Sequence, residues 1–157
     1  MSFLALATII KVWFKNKRIY IQTDGGDIHS RPLEAFPRLL EATQEQRNLF
    51  EIGLYGDDIR WENLDEDIHI TSFLETAEPD PDNEIADVFR RFPQINVSEM
   101  ARTIGINKSL LSRYIYGIKR PSARRKEQIL SAIRQLGREM TEYQLKQFPK
   151  SRETDSV

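Results

Sequence analysis

Lys108, Ser109, Ser112 and Arg113 are the residues of this sequence whose types and spacing carry the clearest chemistry. All four are hydrogen-bond donors and two are cations. At i, i+1, i+4 and i+5 they fall on one side of an α-helix. A helix face of this kind suits the edges of base pairs, since an arginine can donate two hydrogen bonds to O6 and N7 of one guanine. The competing reading is a solvated helix face without a partner. The same segment carries Leu110, Leu111 and Tyr114 for an interior. Asn107 can cap its start, and Gly117, which tolerates positive φ, can stop it.

The elements that would position this face lie immediately upstream. Asn96 and Glu99 have capping-box spacing, so a helix is predicted to start after Asn96 with both groups exchanging hydrogen bonds. Met100, Ala101 and Ile104 line it, and Gly105 ends it. Ala101 is small where two helices would cross closely, and Ile106 plugs the space behind the turn. Before it, Ile85, Val88, Phe89 and Phe92 follow i, i+3, i+4, i+7, and Pro93 ends that helix. After it, Ser122 can cap a long final helix with Ile129, Ile133 and Leu136 inward. Two helices joined by so short a turn form a helix-turn-helix, whose second helix enters the major groove with its N-terminal residues toward the bases.

The stretch from Asn96 to Gly117 also resembles the lambda-repressor-like (Xre-type) helix-turn-helix family. The corresponding residues are Met100-Ala101, Gly105-Ile106-Asn107, Leu111-Ser112, Gly117 and Pro121-Ser122. The resemblance implies that Lys108, Ser109 and Arg113 face bases and that loop residues like Lys119 and Arg120 hold phosphate; Ser112 shares the outward face, and Asn107 and Arg124 are expected as further phosphate contacts. Three positions depart from the family pattern. Val97 replaces a frequent Gln, Ile115-Tyr116 replaces a frequent Glu-Asn, and Leu110 stands where a polar residue is common.

Charge divides the chain at the same place. The net charge is −1, but residues 1–83 hold 8 Lys and Arg against 16 Asp and Glu, while residues 84–157 hold 15 against 8. A basic half is a candidate for nucleic acid, and a merely solvated basic face is its alternative. Between the halves, Glu78-Pro79-Asp80-Pro81-Asp82-Asn83 can continue neither a helix nor a central strand. The expected organisation is therefore a small domain over 1–78, a linker over 79–83, an all-α helix-turn-helix domain over 84–148 and a flexible tail over 149–157.

The first domain is predicted to be α+β, with antiparallel strands and a short helix. Strands are expected at Ile9–Phe14, Arg18–Thr23, Ile28–Pro32, Leu49–Leu54, Ile59–Trp61 and Ile68–Ile70. Asn16 suits a tight hairpin, and Met1 to Trp13 reads as strand rather than signal peptide. Leu33–Glu41 reads as a helix with Phe36, Leu39 and Leu40 on its apolar side, and Thr43 as a cap for Gln44–Asn48. The runs Phe36–Arg47 and Ile59–Ile68 resemble a small bacterial domain of unknown function that occurs alone or fused to helix-turn-helix modules. That resemblance implies a compact fold among regulators and no known activity.

Other chemistry finds little footing. The chain has no cysteine, which excludes disulfides, thiol catalysis and cysteine-held zinc, and fits a reducing cytoplasm. With 39% hydrophobic and 30% charged residues it reads as a globular protein, and no apolar run reaches membrane-spanning length. His29 and His69 lack companions for a metal site. Asp65-Glu66-Asp67 reads as a turn or cap, Gly25-Gly26 as a hairpin turn, and Trp61 as either core or interface. No catalytic residue, metal or cofactor is expected. The leading expectation is a cytoplasmic, sequence-specific regulator that binds double-stranded DNA as a homodimer, its first domain serving interaction or sensing. An adaptor that keeps the fold but not DNA binding is the alternative, and an enzyme in the first domain the least supported.

Overall fold

The computed structural model describes residues 7–146. The expected tail over 149–157, the last residues of the 84–148 range and the start of the apolar stretch at 1–6 lie outside it. A β-rich, antiparallel first half is followed by a mostly helical second half.

Strands β1 (Ile9–Lys15), β2 (Arg18–Thr23) and β3 (Ile28–Pro32) form an antiparallel meander. The β1–β2 turn places Asn16 and Lys17 at φ 52° and 59°. Two successive positive φ values match the right-handed twist of the strands that the turn joins. Alternation along β2 sends Ile19, Ile21 and Thr23 inward. On its other side Tyr20 stacks on its cross-strand partner Trp13, with ring centroids 5.4 Å apart. A second meander contains β4 (Glu51–Ile52), β5 (Asp58–Trp61) and β6 (Glu66–His69). Ile9, Ile19, Ile21, Leu33, Leu39, Ile59, Trp61 and Ile68 belong to one buried cluster. Trp61, 1% exposed, is core, and its indole N–H donates to the Arg47 carbonyl at 2.8 Å.

Several predicted elements shift. The helix expected over Leu33–Glu41 splits into a 3-10 turn, Leu33–Ala35, and helix α1, Pro37–Glu41. Phe36 between them sits at φ −130°, because a residue before proline is pushed out of the helical region. Of Leu49–Leu54 only Glu51–Ile52 pairs, and the last strand ends at His69, where a 3-10 segment over Ile70–Leu74 takes over. Helix α2 (Gln44–Arg47) begins with a complete Thr43–Gln46 capping box.

The second half contains α3 (Glu84–Arg91), α4 (Val97–Ile104), α5 (Lys108–Tyr116) and α6 (Ala123–Glu142). Their cluster comprises Ile85, Phe89, Met100, Ala101, Leu111, Tyr114 and Ile129, with Ile133 and Leu136 packed against it. Phe92, expected inward, is an exposed C-cap residue. The Asn96 side chain caps α4 as expected, but Glu99 pairs with Arg102 rather than completing the reciprocal bond. Beyond Leu136, α6 runs on with Met140 exposed, and Tyr143 just past its end is exposed too.

Two glycines should respond oppositely to alanine. Gly117 has φ +75°, and a Cβ there would collide with the backbone of Asp80. Gly137 lies in open space within α6. Gly117→Ala should destabilise the chain by more than about 1 kcal/mol, the strain of a left-handed alanine alone. Gly137→Ala should stabilise it by about 0.5–1 kcal/mol. Denaturant melts of both variants check the pair.

Candidate functional site

Helix α5 is locally well determined. The Asn107 side-chain oxygen accepts from the Leu110 N–H at 2.7 Å, and Gly117 closes the helix at positive φ, its N–H donating to the Tyr114 carbonyl. On the α4 side the left-handed Gly105, at φ 88°, makes the turn, with its N–H bonded to the Ala101 carbonyl. Ala101 itself is 1% exposed, leaving no room for a larger side chain without displacing a neighbour. Leu111 and Tyr114 hold α5 to the second cluster.

The other side of α5 faces the first half of the chain. The Lys108 ammonium lies 3.1 Å from a Glu41 carboxylate oxygen at the end of α1. The Arg113 Nε donates to the Ala35 carbonyl at 3.0 Å. Ser112 is only 6% exposed and Ser109 is half-buried. Just past Gly117, Ile118 is buried in the first cluster rather than the second. Beside these contacts runs a crevice of about 510 Å³, whose lining includes Glu41, Val97, Lys108, Ser112 and Tyr116. The Tyr116 phenol is pushed above its ordinary pKa, first by burial and then by the carboxylates of Glu41 and Glu34, with Lys108 opposing.

The eight residues singled out in the sequence thus fall into two groups. Lys108, Ser112 and Arg113 are engaged or buried at the junction, with Ser109 partly covered. Asn107, Lys119, Arg120 and Arg124 are exposed. Asn107 spends its carbonyl oxygen on the cap, leaving its amide for an outside acceptor. In the adjoining run Arg124-Arg125-Lys126, Lys126 pairs with Glu84 at 3.0 Å. Glu41 and the Ala35 carbonyl, which meet the cations, were not singled out. Neither carries a local signature of the contact: of the departures from the resembling family, Leu110 and Ile115 pack against the second cluster, and Tyr116 lines the crevice beside Glu41.

The connection between the halves is itself held. Arg31, 1% exposed, donates to the Ala77 carbonyl at 2.7 Å, and burial lowers its pKa. Its Nε and Nη2 have no hydrogen-bond partner. Arg18 makes a two-pronged pair with Glu78 at 2.8 and 3.1 Å, whose hydrogen bonds hold that carboxyl below its ordinary pKa. The Asp80 N–H then donates to the Tyr116 carbonyl at 2.9 Å, and Asn83 donates to the Ile115 carbonyl while capping α3.

The remaining candidates are local. His69 Nδ1 contacts the Thr71 hydroxyl at 2.8 Å, and Asp65 pairs with Arg60 at 3.0 Å. Gly26 completes a turn onto the Thr23 carbonyl. Among the described residues, no helix is long and apolar enough to cross a membrane.

Residues 9–79 match the model of a family described as "Protein of unknown function (DUF2442)". The match contains both runs of the first half that resembled an uncharacterised bacterial domain, and it ends before α3. No curated protein and no solved structure matches the chain.

Arg113→Ala should lower the stability of the intact chain by about 1–2 kcal/mol, because the partly buried Ala35 carbonyl loses a charge-assisted donor. A solvated helix position would change by no more than about 0.5 kcal/mol. Thermal or urea unfolding separates the two values.

Proposed function

We propose that the chain is a sequence-specific DNA-binding regulator whose second half is a lambda-repressor-like helix-turn-helix domain. The observation that carries this reading is the α4–Gly105–α5 unit: two capped helices around a left-handed glycine, crossing over a buried Ala101. The basic surplus of the second half supplies the attraction to phosphate, with the exposed Lys119, Arg120 and Arg124 at the far end of α5 and beyond it. Lys108, Ser109, Ser112 and Arg113 would read bases when α5 lies in the major groove. One such module makes few base contacts, so the active species is taken to be a two-fold homodimer. The exposed Met140 and Tyr143 near the end of α6, and the apolar groove that Phe92, Met100, Ile133 and Leu136 help to line, offer it a surface. The first half is the interaction or sensing module.

The second reading is a protein-interaction adaptor that retains the helical fold without binding DNA. The coverage of α5 by the first half favours it.

Binding to duplex DNA across a salt series separates the readings. A regulator should bind random duplex with steep salt dependence, and Arg120→Ala should flatten the slope by about one unit on every sequence. Arg113→Ala should lower the ratio of specific to random binding by a factor corresponding to about 1–3 kcal/mol. Using the ratio removes any general change in the accessibility of α5. Sedimentation at tens of micromolar, roughly the range of weak dimers, should show a dimer. The absence of binding at about 50 mM salt, where phosphate contacts are strong, would leave the adaptor.

A further inference from the structure

Resting on the DNA-binding reading, we infer that the described conformation is a closed state: the Leu33–Glu41 segment occupies the base-reading side of α5, and DNA binding requires the two halves to part. The steric argument comes first. The major groove is about 12 Å wide and a helix with its side chains measures about 10–12 Å, so a helix in the groove has no space for a second element against its leading face. Here that face holds Ser112 buried, Arg113 bonded to the Ala35 carbonyl and Lys108 paired with Glu41. The electrostatic argument is independent. The half that covers α5 carries an excess of eight acidic residues, which would lie against the phosphates of any duplex approaching Lys108. The carboxylate of Glu41 and the carbonyl of Ala35 take the places that base-edge acceptors and phosphates would take. The first half thus acts as an internal competitor for the same donors.

The full chain tests this with random-sequence duplex DNA as probe. Glu41 is exposed, so Glu41→Gln removes the ion pair without disturbing a core. Glu45→Gln makes the same charge change in α2, away from α5. Hydrogen exchange of Leu33–Glu41 decides the matter, because this segment would be uncovered as α5 enters the groove. Saturating DNA should speed its exchange, and Glu41→Gln should bind DNA up to about fivefold more tightly than Glu45→Gln, the limit for one exposed ion pair. Unchanged or slowed exchange at Leu33–Glu41 while DNA is bound overturns the closed state and leaves the DNA-binding reading standing. Failure of the wild type and both variants to bind duplex DNA at about 50 mM salt overturns both. Faster exchange without an affinity gain keeps the closed state and removes Glu41 from the contacts that hold it.

Discussion

Helix α5 has occupants on two sides, and most of the arrangement of the chain depends on that. Leu111 and Tyr114 bind it to α3, α4 and α6, while Arg113 and Lys108 reach the Leu33–Glu41 segment. A nine-residue helix cannot satisfy two neighbours by hydrophobic burial alone, since a second apolar stripe would leave it without a polar side. The sequence resolves this by making the second contact of the helix itself largely polar, with Ile118, just past its end, buried in the first cluster. A guanidinium finds a backbone carbonyl, and an ammonium finds a carboxylate. Contacts of that chemistry are weaker than a core and are replaceable by other oxygen acceptors, such as those the proposed DNA-bound state would supply.

The segment joining the halves is fixed in the same currency. Arg18 and Arg31 hold its start to the first sheet, and backbone and side-chain donors of Asp80 and Asn83 hold its end to the carbonyls of α5. Arg31 is the costliest member. Its guanidinium is removed from water with Nε and Nη2 lacking a hydrogen bond, and it is retained against a desolvation penalty, with the Glu75 carboxylate 3.8 Å from Nη2. The bond to the Ala77 carbonyl and the carboxylates of Glu75 and Glu78 offset part of that penalty, and the bond fixes where the chain leaves the sheet.

Local rules made much of the fold legible, and long-range contacts did not follow from them. Thr43, Asn83, Asn96, Asn107 and Ser122 each cap the helix they precede, because an oxygen placed at a helix start meets unpaired amides whatever the tertiary context. Gly105 and Gly117 end helices for a similarly local reason. The break at Phe36–Pro37 was also written locally, and the apolar pattern of Leu33–Glu41 masked it. The burial of Arg31 and the cover over α5 have no such signature. Glu41 and Lys108 lie 67 positions apart, and Ala35 and Arg113 lie 78 apart. Of the departures at Leu110, Ile115 and Tyr116, the first two pack on the second cluster and Tyr116 lies beside Glu41. The match over residues 9–79 confirms that the first half recurs elsewhere, and its family description adds no chemistry.

The shortness of the connection has a kinetic consequence. With Asp80 bonded to Tyr116 and Glu78 to Arg18, only a few residues separate the anchors on the two halves. A tether of that length keeps the covering segment at an effective concentration in the millimolar range, so contacts too weak to hold two separate proteins together suffice within one chain. In the proposed closed state, parting the halves draws Ile118 out of the first cluster, and a cover so tethered returns quickly once displaced. Lengthening the Pro79–Asn83 stretch would weaken it while leaving each individual bond between the halves unaltered.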